Sequence, residues 1–232
     1  MAKFIKADEL KKKYQAKGRF YVLKNSKSKS KTSCRSLLTI TDITDKNITD
    51  DKKLLVIMLN PGSSRPLDKK YSEPEILTTK IADLETIPPI DAKPDTTQYQ
   101  VMRVMKEINY SHADIINLYD IREPKSDVLF ENAKKGILEK EASIFSDTRQ
   151  AELNSYFTPN KTVILAWGNA KTIKKTEKNA IDKVFKLSKK IFCVHGNDNI
   201  INHPSPRNHN LKIKWLDNIL NKLRKNENEK MR

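Results

Sequence analysis

The chain has 232 residues, and 45 Lys and Arg against 29 Asp and Glu leave a formal charge of +16, a one-sided excess that implies an acidic partner. A hydrophobic content of 37% is enough to bury a core at this length and excludes a disordered chain. The longest apolar run, Leu54 to Leu59, is far too short to span a bilayer, and Met1-Ala2-Lys3-Phe4 does not open a signal peptide. A soluble, cytoplasmic protein with no membrane association is therefore expected.

The first 52 residues form a basic extension. Lys11-Lys12-Lys13 is followed by an alternating Ser and Lys run from Ser26 to Lys31, a low-complexity loop between two segments of β-type composition, 19–24 (RFYVLK) and 35–41 (RSLLTIT). These segments predict an N-terminal β-hairpin with the basic loop at its tip. Cys34 and Cys193 stand far apart with no CxxC, which excludes a four-cysteine zinc site or an iron–sulfur cluster and argues against a disulfide in a reducing compartment. No metal and no other cofactor is expected.

Residues 53–225 carry the main domain. Four short runs rich in apolar and β-branched residues, LLVIML at 54–59, ADIINLY at 113–119, TVILAW at 162–167 and KIFCVH at 190–195, have the character of strands buried on both faces and predict a parallel sheet. Helical patterns fall between and after them at 95–108, 130–145, 170–187 and 210–225. Strands alternating with helices predict an α/β fold, a three-layer α/β/α domain around a mostly parallel four-stranded sheet. The 63–94 stretch, with Pro66, Pro74, Pro88, Pro89 and Pro94, has little periodicity and reads as a functional lid or an insertion. Residues 226–232 form a charged tail.

In an open parallel sheet the ligand binds beyond the carboxyl ends of the strands. Those ends carry Asn60-Pro61-Gly62-Ser63-Ser64, Asn117, Trp167-Gly168-Asn169, and, past a short loop, His203-Pro204-Ser205-Pro206-Arg207-Asn208. In this order, each behind its strand, the motifs resemble the uracil-DNA glycosylase superfamily. The likeness is closest to its single-strand-selective monofunctional branch, then to its mismatch-specific branch, and covers roughly residues 53–220.

The resemblance implies metal-free hydrolysis of the N-glycosidic bond of a base flipped out of DNA, by a monomer that leaves an abasic site. Asn60 corresponds to the residue that positions the water; an amide orients water but is a poor base, so turnover is expected to be slower than in members with a carboxylate there. His203 corresponds to the donor that meets the pyrimidine O2 as charge builds, a role suited to neutral imidazole. Asn117 corresponds to the amide that reads the base edge, with Pro61 and Gly62 beside the base. Where the most uracil-restricted members have a tyrosine against C5, this chain has Gly62, so C5-modified pyrimidines are expected to fit as well as uracil.

Ser63, Ser64, Arg65, Lys171, Lys174, Lys175, Ser205, Arg207 and Asn208 are expected to hold DNA phosphates, with 207–210 entering the duplex as a polar wedge. Tyr71 and Tyr99 are candidates for stacking on the base, whereas Trp167 and Trp215 read as core. Two other readings fit the same residues, a non-catalytic DNA-binding protein and a hydrolase of nucleosides. The biological setting is either base-excision repair or attack on foreign DNA that carries modified bases.

Overall fold

The computed structural model describes residues 3–169, 171–196 and 199–230. In chain order the elements are α1 (Ala7–Lys13), β1 (Tyr14–Lys24), β2 (Lys31–Asp42), β3 (Lys53–Met58), β4 (Glu75–Leu77), β5 (Ile90–Asp91), α2 (Thr96–Glu107), β6 (His112–Asn117), α3 (Ser126–Lys134), α4 (Gln150–Ser155), β7 (Thr162–Leu165), α5 (Lys174–Leu187), β8 (Ile191–Cys193) and α6 (His209–Lys230). The sheet runs β4-β1-β2-β6-β3-β7-β8, with β5 added on β1. Its centre, β6-β3-β7-β8, is parallel throughout. Thus all four apolar runs are strands of one central, mostly parallel sheet.

The reason those runs are apolar without strict alternation is visible in β3. Leu54, Val56 and Met58 enter a core shared with α2 and α6, while Leu55 and Ile57 enter a second core shared with α3, α4 and α5. Helices flank both faces, and each fully buried Leu, Ile or Val contributes about 1.5–3 kcal/mol. On the first face Trp215, Leu216, Ile219, Leu220 and Leu223 of α6 pack with Val101, Met102, Val104 and Met105 of α2. The start of α2 is fixed by a capping box: the Asp95 carboxylate accepts from the N–H groups of Thr97 and Gln98, and the Gln98 side chain accepts from the Asp95 N–H.

β1 and β2 pair antiparallel from Tyr14↔Asp42 to Lys24↔Lys31, and β2 joins the centre by pairing antiparallel with β6. The register contains one bulge: Arg19 pairs with Leu37, but Phe20 pairs with Arg35, so Ser36 is left over.

Several boundaries depart from the sequence expectations. The helix expected over 130–145 is α3, already ended at Lys134; Gly136 then takes φ +68, and a 3-10 turn follows at Lys140–Ala142. The 63–94 stretch carries short strands and buried residues of its own. Its β4 pairs with β1 at Val22↔Glu75, its β5 pairs with β1 at Gly18↔Ile90, and Ile81 and Leu84 are buried against Tyr21 and Leu23. Strands of three and two residues are too short to leave a period in the sequence. The last helix continues to Lys230, past the expected start of the charged tail.

A buried ion network ties β1 to the chain around α4. The Arg149 guanidinium donates to Asp120 at 2.6 Å and to both oxygens of Glu152 at 2.7 and 3.0 Å, and the Tyr21 hydroxyl donates to Asp120 at 2.8 Å. Both cysteines are free thiols. Among the described residues no helix is long and apolar enough to cross a membrane.

Candidate active site

A cavity of about 600 Å³ opens at the carboxyl ends of β3 and β7. Its walls come from six places in the chain: Asn60 to Ser63 after β3, Trp167 to Asn169 after β7, His203 between β8 and α6, Asp95 to Gln98 at the start of α2, Pro124 to Phe130 at the start of α3, and Arg35 on β2. Met58 and Ile115 lie beneath it, and Phe130 of α3 faces it. Of the residues singled out in the sequence, Asn60, Pro61, Gly62, Ser63 and His203 line this one space.

The orientation of the Asn60 amide follows from its neighbours. Nδ2 donates to the carbonyls of Ile121 at 3.0 Å and Glu123 at 2.7 Å, so Oδ1 is the atom left without a protein partner among the described residues. The segment after β6 therefore fixes which end of Asn60 accepts.

His203 is fixed in the same way. Its Nδ1 accepts the N–H of Ser205 at 3.1 Å, which places the proton of the neutral ring on Nε2. Burial pushes its pKa below the ordinary histidine value, with the Asp95 carboxylate opposing. Behind it Gly168 takes φ +82, and a β-carbon there would stand 3.3 Å from the Cβ of His203. The loop after β7 thus has a glycine where backbone and imidazole meet.

Gly62 also needs its missing side chain for conformation, at φ +59, yet a β-carbon built on it meets nothing within 4 Å. The cavity wall is open at that point. Its loop is held by Arg122, which donates to the Ser64 carbonyl at 3.2 Å and to Glu73 at 2.7 Å.

Asn117 does not itself line the cavity. It ends β6 in register with Met58 and shares the strand face of Ile115, both of which do line it. It is 0% exposed, and among the described residues neither its Oδ1 nor its Nδ2 has a hydrogen-bond partner. A buried polar group left so costs about 1–3 kcal/mol.

Of the expected phosphate contacts among the described residues only Ser63 lines the cavity; the others follow lining residues in the chain without lining it. Arg65, Lys174, Lys175, Arg207 and Asn208 are exposed, Ser64 is buried, and the hydroxyls of Ser64 and Ser205 have no partner. Lys171 opens a 3-10 turn ahead of α5, its side chain outside the described residues. Of the segment 207–210, His209 and Asn210 open α6, and the Asn208 carboxamide caps it by accepting the N–H of Leu211 at 3.2 Å.

The stacking candidates need correction. Tyr71 and Tyr99 are not among the lining residues and pack against the core below. The aromatic faces at the cavity are Phe130 and Trp167; Trp167 is core as expected and wall as well, its indole N–H donating to Glu177 at 2.8 Å. Arg35, Asp95, Gln98 and Phe130 were invisible in the sequence as site residues. The one legible signal was Asp95 three residues before Gln98, which reads as a helix start.

No curated protein and no solved structure matches the chain. The sequence profile of a family described as "Protein of unknown function (DUF1643)" matches residues 90–205, half of the 232 residues. The matched stretch begins at β5, carries Asn117 and Trp167-Gly168, and ends just past His203, so most walls of the cavity lie within it. The chain belongs to the DUF1643 family.

Proposed function

We propose that this protein is a monofunctional DNA glycosylase with a uracil-DNA glycosylase-like fold, excising uracil or a C5-modified pyrimidine from DNA. The observation that carries the proposal is that Asn60 and His203 share one cavity, each with its outer end tied to backbone and its working atom, Oδ1 or Nε2–H, unpaired among the described residues.

The roles follow from those atoms. Asn60 Oδ1 accepts a hydrogen from a water and aims its lone pair at the anomeric carbon. As the bond from that carbon to the pyrimidine nitrogen breaks, its electron pair stays on the base, and the His203 Nε2–H donates to the base oxygen on which the charge collects. Water adds to the sugar, its proton leaves to solvent, and the base departs after taking up a proton. Neither step asks an amide to act as a strong base. The amide of Asn117, unpaired among the described residues but 0% exposed and outside the lining, supplies a donor and an acceptor to the base edge only where the residues covering it move aside. The open wall at Gly62 accommodates a C5 substituent.

The charge of +16 and the exposed Arg65, Lys174, Lys175 and Arg207, in segments that follow the cavity-lining loops in the chain, favour a polyanion over a free nucleoside, with binding that weakens as salt rises. The test is mass-spectrometric detection of free base, with alkali-labile strand breaks, from a panel of DNAs carrying uracil, cytosine and their C5-modified forms. Release from at least one member, abolished by Asn60→Ala and by His203→Ala while DNA binding persists, is expected. Salt-dependent binding with no release from any member would make it a non-catalytic DNA-binding protein, and equal release from free nucleosides would make it a nucleoside hydrolase.

A further inference from the structure

The bulge in β2 changes where Arg35 points. Leu37 faces the core of α3 and α5, and strict alternation would place Arg35 on that same face. Because Ser36 is the extra residue, Arg35 instead pairs with Phe20, which faces the α2 side, and it enters the wall of the cavity beside Met58, Ile115 and Asp95. Bulges next to functional sites re-aim side chains in this way.

The side chain so delivered is 3% exposed. Among the described residues it makes no hydrogen bond and no ion pair, and its Nε is buried without a partner. Asp95 and Asp120 are near enough to favour the charged guanidinium and Arg122 to oppose it, but the Asp95 carboxylate already caps α2 and the Asp120 carboxylate already accepts from Tyr21 and Arg149. Burial lowers the Arg35 pKa to about 10, which leaves it cationic at neutral pH. Asp127, the other carboxylate of the cavity, is exposed in the first turn of α3 and makes no ion pair with Arg35 among the described residues.

A buried guanidinium without a carboxylate destabilises a fold, and an apolar side chain of similar length would serve packing better. Arg149, equally buried, shows the contrast with its two carboxylate partners. We propose that Arg35 contacts the occupant of the cavity and binds an anionic oxygen group on it, either a phosphate of the flipped nucleotide or a carboxylate carried by the base. This rests on the preceding section for the class of occupant, a pyrimidine nucleotide, and not for the hydrolysis.

The test is direct binding, by titration calorimetry, of two pairs of small probes to the full chain: deoxyuridine against deoxyuridine 5′-monophosphate, and uracil against 5-carboxyuracil. The wild-type protein is expected to bind the anionic member of one pair at least tenfold more tightly, and Arg35→Met to bind both members of that pair equally. The first pair identifies the phosphate and the second the base carboxylate. Arg35→Met is also expected to melt at or above the wild-type temperature, since it removes an unpaired buried charge. No preference for the anion in either pair would overturn the proposal. So would a preference that survives in Arg35→Met, or a lowered melting temperature in both Arg35→Met and Arg35→Gln, which would make Arg35 a structural residue. An anion preference that depends on Arg35 in a protein that releases no base leaves this inference standing and ends the glycosylase reading; base release that depends on Asn60 and His203 without such a preference does the reverse.

Discussion

A β-carbon added to Gly168 would stand 3.3 Å from the Cβ of His203, so the position of the imidazole depends on what the loop after β7 lacks. Gly168→Ala forces the histidine outward and also places an L-residue at φ +82, at a cost of roughly 1–2 kcal/mol. Displacing a catalytic donor by a fraction of an ångström to 1 Å costs up to about 100-fold in rate. We expect Gly168→Ala to lower single-turnover base release by at least about tenfold with a small shift in the urea midpoint. Unchanged release would mean that His203 does not work from this position.

Asn60→Asp separates the geometry of this site from its family likeness. A carboxylate is the faster water-activating group where the site accommodates it, but here the Asn60 amide donates to two carbonyl oxygens, at 3.0 and 2.7 Å. An ionised aspartate has no hydrogen to give and would face both oxygens. The substitution is therefore expected to destabilise the protein by about 1–3 kcal/mol and to raise the pKa of the new carboxyl, with no gain in base release at pH 7. A faster enzyme of undiminished stability would show that the loop after β6 reorganises freely.

The sequence exposed those parts of the site that sit where a strand ends. Asn60 and His203 follow apolar runs whose lack of alternation marks them as central parallel strands, and the ligand position at their carboxyl ends is a property of such sheets. Arg35 could not be found in that way. It lies in a segment that reads as an ordinary strand, and its entry into the cavity turns on the single unpaired residue Ser36, which no periodicity records. Phe130 reads as the start of a helix over 130–145, but α3 ends at Lys134 because Gly136 turns the chain inside an otherwise helical pattern. Tyr71 and Tyr99 stand near the first motif in the chain only, whereas the cavity is walled by aromatics from α3 and from the end of β7.

Arg149 is the stability counterpart of Arg35. It neutralises Asp120 and Glu152, both buried, so Arg149→Met leaves two carboxylates facing each other in the core. A loss of about 3–5 kcal/mol is expected in chemical denaturation. Burial already raises Asp120 to about 6, against the pull of Arg149 and with the push of Glu152. A carboxyl raised above its unfolded value contributes stability that is present below about pH 4 and lost as pH rises through 6. Without Arg149 the loss steepens, and the variant is expected to be more severely destabilised at pH 8 than at pH 5. A uniform loss across that range would place the charges elsewhere.

The pH dependence of base release tests the protonation state assigned to His203. Burial lowers its pKa below 6.5, and the Ser205 N–H occupies the Nδ1 lone pair that a second proton would have to take. The neutral ring, with its proton on Nε2, therefore persists as pH falls below 6.5. Its contribution to stability is present above 6.5 and is lost as pH falls through the lower folded value. If the neutral donor is the working form, the acid limb of kcat/KM lies below 6.5 and disappears in His203→Gln, which keeps an N–H donor, while overall release falls by about 10²–10³ in His203→Ala. Titration of the four histidines by NMR assigns the limb. Activity that instead rises as His203 becomes protonated would show that the imidazolium is the donor and that the site binds the departing base by charge.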